Sequence, residues 1–222
     1  MRVLLLALVI SLESAQGFAG YDDTWFKSKF WAGEYPPEFS VTKRRTTVMA
    51  RRAMDKNVPR EVACELPYLA VIHPWNKERI RKSNMQFFSA TKIIKMIAKE
   101  DFKFNDNVAV KKGEVIEYIG NGAEDFFAVR IGGKPYTAGQ DLWPFVDAPT
   151  EDQFIEDKWV LLTCQVGARA YIYLDDVRSE APDCSVTFVP GVSDGTSETY
   201  GKAFDLTEQE AAELEKEKAA KK

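Results

Sequence analysis

The sequence of 222 residues predicts a mainly β protein with an aromatic N-terminal lead-in and a C-terminal α-helix. Three observations predict it. Short apolar runs recur from Thr46 onward, each broken by Pro, Gly or Asn, at the spacing of a small sandwich or barrel. The last segment, after Leu206, instead carries a helix start signal. Hydrophobic content of 45% with 12% aromatics excludes wholesale disorder, and about 200 mature residues suffice for one large or two small domains with a proper core.

Charge is unevenly placed along the chain. The formal net charge is −4, yet Tyr21 to Lys112 holds 19 basic and 11 acidic residues, and Gly113 to Lys222 holds 10 and 22. Overall acidity argues against a dedicated nucleic-acid binder, which needs a net basic footprint on the phosphate backbone.

Residues 1–19 read as a cleaved export signal. Arg2 supplies the positive start, Val3 to Leu12 is almost unbroken apolar sequence, and small residues follow at Ser14, Ala15, Gly17 and Ala19. Cleavage is expected after Gly17 or Ala19; the alternative is a buried N-terminal helix. The apolar run is too short for the roughly 20 residues of a spanning helix, and no later stretch is longer. The expected location is therefore secreted or periplasmic, without a transmembrane segment. An oxidising compartment permits disulfides, and Cys64, Cys164 and Cys184 allow one intramolecular bridge. Cys164 and Cys184 are the nearest pair, and their bridge would contribute about 3 kcal/mol by chain entropy. The alternative is a pair of buried, inert thiols.

Residues 20–45 form the lead-in, rich in aromatics from Tyr21 to Phe39. Trp25, Phe26, Phe30 and Trp31 do not alternate as a strand does, which suggests one short docked helix. Pro36-Pro37 enforces an extended stretch. Residues 46–95 are an N-terminal β region: Val48 to Ala50, Val62 to Leu66, Leu69 to His73, Met85 to Phe88 and the start of Lys92 to Ala98 read as strands.

Residues 96–147 carry the most ordered pattern. Val108 to Val110 precedes the turn Lys111-Lys112-Gly113-Glu114, then the strand Val115 to Ile119 and the turn Gly120-Asn121-Gly122. Phe126 to Ile131 follows, then the tight turn Gly132-Gly133-Lys134, and last Gln140-Asp141-Leu142-Trp143. This is a meander of five strands around a barrel filled by its own side chains.

In order and spacing the segment resembles an SH3 domain. Ala98 to Phe102 sits where those domains carry the ALYDY stretch, Lys111 to Glu114 matches their KKGD turn, and Gly133-Lys134 matches the distal glycine turn. The resemblance implies a bacterial SH3-type barrel and a ligand groove. Transferred position by position, Glu100 takes the first aromatic place, Phe126 the tryptophan, Gly139 the proline and Leu142 the final tyrosine. A carboxylate from Glu100 inside the groove disfavours proline-rich peptides in the usual mode. Ligand contacts are then expected from Phe102, Phe126, Leu142 and Trp143.

Residues 148–204 form a second β unit. Asp157 to Leu162 and Gly167 to Val177 look like the second half of another such barrel, or a hairpin that extends the first. Two barrels in tandem are compatible with this spacing, and Thr46 to His73 could be a third, degenerate one. Thr207 and Glu210 make a capping box that opens a charged helix within 205–222.

No constellation for catalysis emerges. His73 is the only histidine and has no nucleophile in a recognised elbow beside it. Gly120-Asn121-Gly122 lacks the context of a phosphate loop. Asp175-Asp176, Glu151-Asp152 and Glu156-Asp157 read as solvated turns, with facing glycosidase acids as the sharper alternative. No cofactor or metal is expected. Lys43, Arg44, Arg45, Arg51 and Arg52, with Lys77, Arg79, Arg81 and Lys82, form a basic cluster; it faces either an anionic partner or the acidic half of the same chain. The expected function is a non-enzymatic binding or scaffolding protein of the cell envelope, with a protein or cell-wall polymer as ligand. The alternative is a small envelope hydrolase that acts on wall polymer through carboxylates.

Overall fold

A computed structural model describes residues 18–29, 31, 39–68, 70–72, 85–105, 107–122, 125–165, 167–181, 185–193 and 216. Among these residues the chain is mainly β, in several small sheets joined by turns and short 3-10 pieces. It divides into two compact units: Met1–Gly20, Pro37–Phe88 and Lys158–Lys222 make the first, Tyr21–Pro36 and Ser89–Asp157 the second.

The second unit is built around an antiparallel sheet in which three strands follow one another in sequence and the fourth, Ile94–Ile97, precedes an intervening hairpin. Its order is Lys134–Gly139, Phe126–Ile131, Val115–Asn121, Ile94–Ile97. Side-chain alternation sorts its two faces. Met96, Ile116 and Ile131 stand in register on the buried face, as do Tyr118 and Val129. Lys95, Glu117, Arg130 and Pro135 are paired across the opposite face, where Arg130 Nε donates to Glu117 Oε2 at 2.6 Å. Gly132 and Gly133, with φ of 55° and 81°, close the two-residue hairpin between Ile131 and Lys134. Positive φ at both positions suits the right-handed strand twist and is open to glycine at little cost.

A second hairpin, Phe102–Phe104 with Val108–Val110, drops Phe104 and Val110 into the same core. After the 3-10 turn Gln140–Phe145, Val146 returns to pair with Ala98, and Asp147 N–H donates to Ile97 C=O at 3.0 Å. The turn Lys111 to Glu114 is held by Gly113, at φ 83°, whose N–H donates to Ala98 C=O.

The lead-in departs from its expected helix. Trp25–Ser28 is a strand, antiparallel to Ser89 to Lys92. The strand Gln86–Lys92 offers unpaired backbone groups, and meeting them satisfies more donors than one isolated helical turn would. Lys92 reinforces the pairing: Nζ donates to Thr24 Oγ1 at 2.6 Å and lies 5.0 Å from the centre of the Trp25 ring. Tyr21 is buried, and its hydroxyl donates to the buried Asp157 carboxylate at 2.9 Å.

The first unit joins distant segments. Phe39–Val41 is the middle strand of a sheet between Val71–Ile72 and Val192–Ser193. The hairpin Thr47–Ala50 with Val62–Glu65 is linked through the bridge Arg51 to Tyr171 to the pair Glu156–Thr163 and Arg169–Tyr173, registered from Trp159 to Tyr173 onward. A third hairpin joins Arg178–Glu180 to Val186–Phe188. The residues expected to complete a second barrel thus pair with each other, and a single bridge, Arg51 to Tyr171, links them to the 47–65 hairpin.

Cys164 is disulfide-bonded to Cys64, with Cα atoms 5.0 Å apart, which corrects the expected Cys164–Cys184 bridge. The hairpin places Cys64 beside Val48, and Gln165 N–H donates to Glu65 C=O at 3.1 Å, so the two chain segments already lie together. Cys184 and His73 lie outside the described residues, as do 1–17 of the expected export signal. The expected C-terminal helix over 205–222 does too, apart from Lys216.

Candidate functional site

Phe126 opens its strand and is 54% exposed, the most exposed large hydrophobic residue among those described. Its position is set by backbone geometry on both sides. Asp125 takes a left-handed conformation at φ 47°, and its carboxylate accepts from Gln140 Nε2 at 2.5 Å. Across the sheet Phe126 faces Gly139, and a Cβ on Gly139 would lie 3.8 Å from Cε1 of the ring. That same Cβ would lie 2.9 Å from Asp141 Oδ1, so a side chain at this position would displace the Asp141 carboxylate. An outward phenyl ring therefore stands beside two carboxylates, Asp125 and Asp141.

The other three expected contacts are not equivalent to it. Phe102 is half-buried and stacks on Phe145, centroids 4.9 Å apart. Trp143 is half-buried and stacks on Phe127 at 4.3 Å. Leu142 is 2% exposed inside the core, which corrects its expected ligand contact. A 3-10 turn sends adjacent residues in different directions, and here the apolar Leu142 points inward while Asp141 faces solvent. Glu100 is exposed, and Asp101 beside it accepts from Lys111 Nζ at 2.7 Å and from Lys112 N–H at 2.9 Å. Those two bonds hold the Asp101 carboxyl below the ordinary aspartate range.

Behind this face an aromatic series runs Phe154, Tyr118, Phe127, Trp143, with successive centroids 4.9, 5.9 and 4.3 Å apart. Burial, and next the nearby Glu156 carboxylate, push the Tyr118 phenol far above its ordinary range, so it stays neutral.

The basic cluster separates on folding. Arg51 is buried, and its guanidinium is used internally: it pairs with Asp176, donates from Nε to Val58 C=O at 3.1 Å, and lies 5.6 Å from the Trp159 ring centre. This corrects its expected place on an anion-facing surface. Arg52 is exposed and paired with Glu61 at 2.7 Å. Arg44 lies over the Tyr68 ring at 4.7 Å, and Arg45 is exposed at φ 58°. Lys77, Arg79, Arg81 and Lys82 lie outside the described residues.

Two acidic pairs expected as solvated turns prove to be partly structural. Asp176 holds Arg51 and Arg60, Asp175 accepts from the Tyr173 hydroxyl at 2.7 Å, and Asp157 is the buried acceptor of Tyr21. Nothing in the sequence marked Asp176 beyond its charge. Its partner lies 125 residues away. Among the described residues no group of three His, Cys, Asp or Glu side chains could hold a metal ion, and no helix is long and apolar enough to cross a membrane.

In comparisons with known proteins, no family model matches the chain, and no curated protein or solved structure matches it either.

Proposed function

We propose that this chain is an exported, non-enzymatic binding or scaffolding protein of the cell envelope, whose segment 96–147 is an SH3-like module that takes a protein or wall-polymer ligand at Phe126. The observation that carries this reading is the exposure of that ring on a unit whose other aromatics are largely packed. A solvent-facing phenyl ring gains free energy when a partner covers it, and such anchors dominate binding interfaces. Support for the SH3-like reading comes from the strand order, the hairpin at Phe102–Phe104, and the 3-10 turn that leads Val146 back to Ala98.

One feature supports export. The Cys64–Cys164 bridge suits an oxidising compartment. Phe18 packs edge-on against Phe88 with centroids 5.6 Å apart, and Gly20 N–H donates to Met54 C=O. Cleavage after Gly17 retains this packing of Phe18, whereas cleavage after Ala19 would discard it, which favours the first of the two expected ends. Intact mass of the exported protein decides between these two ends.

The binding claim is tested by pull-down of the mature protein with purified peptidoglycan and with envelope extract. Retention on one of them, lost in Phe126→Ala, supports it. Retention on neither overturns it.

A further inference from the structure

A cleft of about 340 Å3 opens in the first unit, lined by Thr47, Val48, Met49, Arg60, Asp176 and Val189. Small-molecule sites span roughly 300–1,000 Å3 and pair an apolar lining with a few charged groups. We propose that this cleft binds a small carboxylate with a short apolar body, the carboxylate on Arg60 and the body against Met49 and Val189.

The charges around the cleft select the sign of the ligand. Asp176 is neutralised by Arg51, whose side chain is 8% exposed and fixed by Val58 C=O. Arg60 reaches the same carboxylate only at 3.4 Å, and its side chain is 54% exposed. One guanidinium charge is therefore left over at the mouth of the cleft. Glu61, its chain neighbour, is occupied by Arg52. Glu65 stands across from Thr47, three residues beyond Val62 and so about 10 Å further along the strand. A cation would have to displace an arginine from Asp176.

The remaining lining fits an apolar body. Met49 is 45% exposed on the strand face that also carries Thr47, and its flexible thioether side chain adapts to small ligands. A planar guanidinium receives a carboxylate through two parallel hydrogen bonds, which a single long contact to Asp176 does not use. Two sources share this chemistry: a free acyl carboxylate and the C-terminal carboxylate of a short apolar peptide.

The test is calorimetric titration of the full mature chain with octanoate, with N-acetyl-leucyl-leucine and with octylammonium. Saturable binding of either carboxylate, weakened at least about tenfold by Arg60→Gln and less by Arg60→Lys, supports the site. The tighter of the two names the source. Met49→Asp, which brings a carboxylate into the cleft, is expected to weaken the same ligand independently, and circular dichroism checks that each variant is folded. Phe126→Ala leaves this binding unchanged, which separates the cleft from the face proposed above. Octylammonium binding as tightly as octanoate overturns the proposal. So does an unchanged affinity in Arg60→Gln, or no saturable binding of either carboxylate.

Discussion

The meander of residues 94–147 and the unit assembled from 39–72 and 158–193 are both β, yet they rest on opposite kinds of contact. In the meander each strand pairs with a close neighbour in sequence, and its core is apolar, with Met96, Ile116 and Val129 fully buried. In the other unit the fastening contacts span 100 to 153 residues: the Cys64–Cys164 bridge, the Arg51–Asp176 ion pair, and Ser40 against Ser193. Local pairing lets hydrophobic alternation specify a structure. Distant pairing needs covalent or charged fasteners to select one partner among many, and these show themselves only after folding.

The disulfide should have the largest effect. Its loop of 100 residues contributes about 4–5 kcal/mol by chain entropy, so Cys64→Ala/Cys164→Ala should lower stability by that order in urea unfolding. A loss below about 1 kcal/mol would break the contrast. Next comes the ion pair. Asp176→Ala takes one anion away from the buried Arg51 guanidinium and should cost about 3–5 kcal/mol, whereas Arg51→Met/Asp176→Leu should recover most of it. A double variant no more stable than the single one would show that charge is not what fastens these segments.

In the meander the comparable change is apolar. Ile116→Ala empties a fully buried position and should cost about 3 kcal/mol, read from chemical denaturation. A smaller effect follows from Asp101, whose folded carboxyl titrates below its ordinary value of 3.8. The unfolded state then takes up the proton first as pH falls. The stabilisation is present above about pH 4 and is lost as pH drops through the folded value. Asp101→Asn should flatten this acid limb in unfolding measured between pH 5 and 2, and an unchanged limb would assign the effect elsewhere. Phe126→Ala should change stability least, by less than about 0.5 kcal/mol, because the ring is exposed. A larger loss in thermal unfolding would mean that the ring serves packing and not a ligand.

The same contrast governs how much was legible beforehand. The turn at Gly132-Gly133 and the strands on either side were readable, because alternation and positive-φ glycines are local signals. Leu142 was misplaced because groove positions were transferred by order, while a 3-10 turn decides by a single step in sequence which side chain enters the core. Trp25 and Phe26 were misread as helix because their partner, the strand Gln86–Lys92, lies more than 60 residues on. Arg51 looked like its neighbour Arg52, and only the bridge to Tyr171 turns one inward and leaves the other in solvent.

By itself the sequence determined the β class, the hairpin at Gly132-Gly133 and the uneven charge, since each depends on composition or on residues a few positions apart. Only the tertiary structure decided which cysteines join, which arginine is buried, and that Arg60, Met49 and Asp176 meet at one cleft. The physical reason is that pairing across more than 100 residues is chosen by the packing of the whole unit, and no short-range pattern records it.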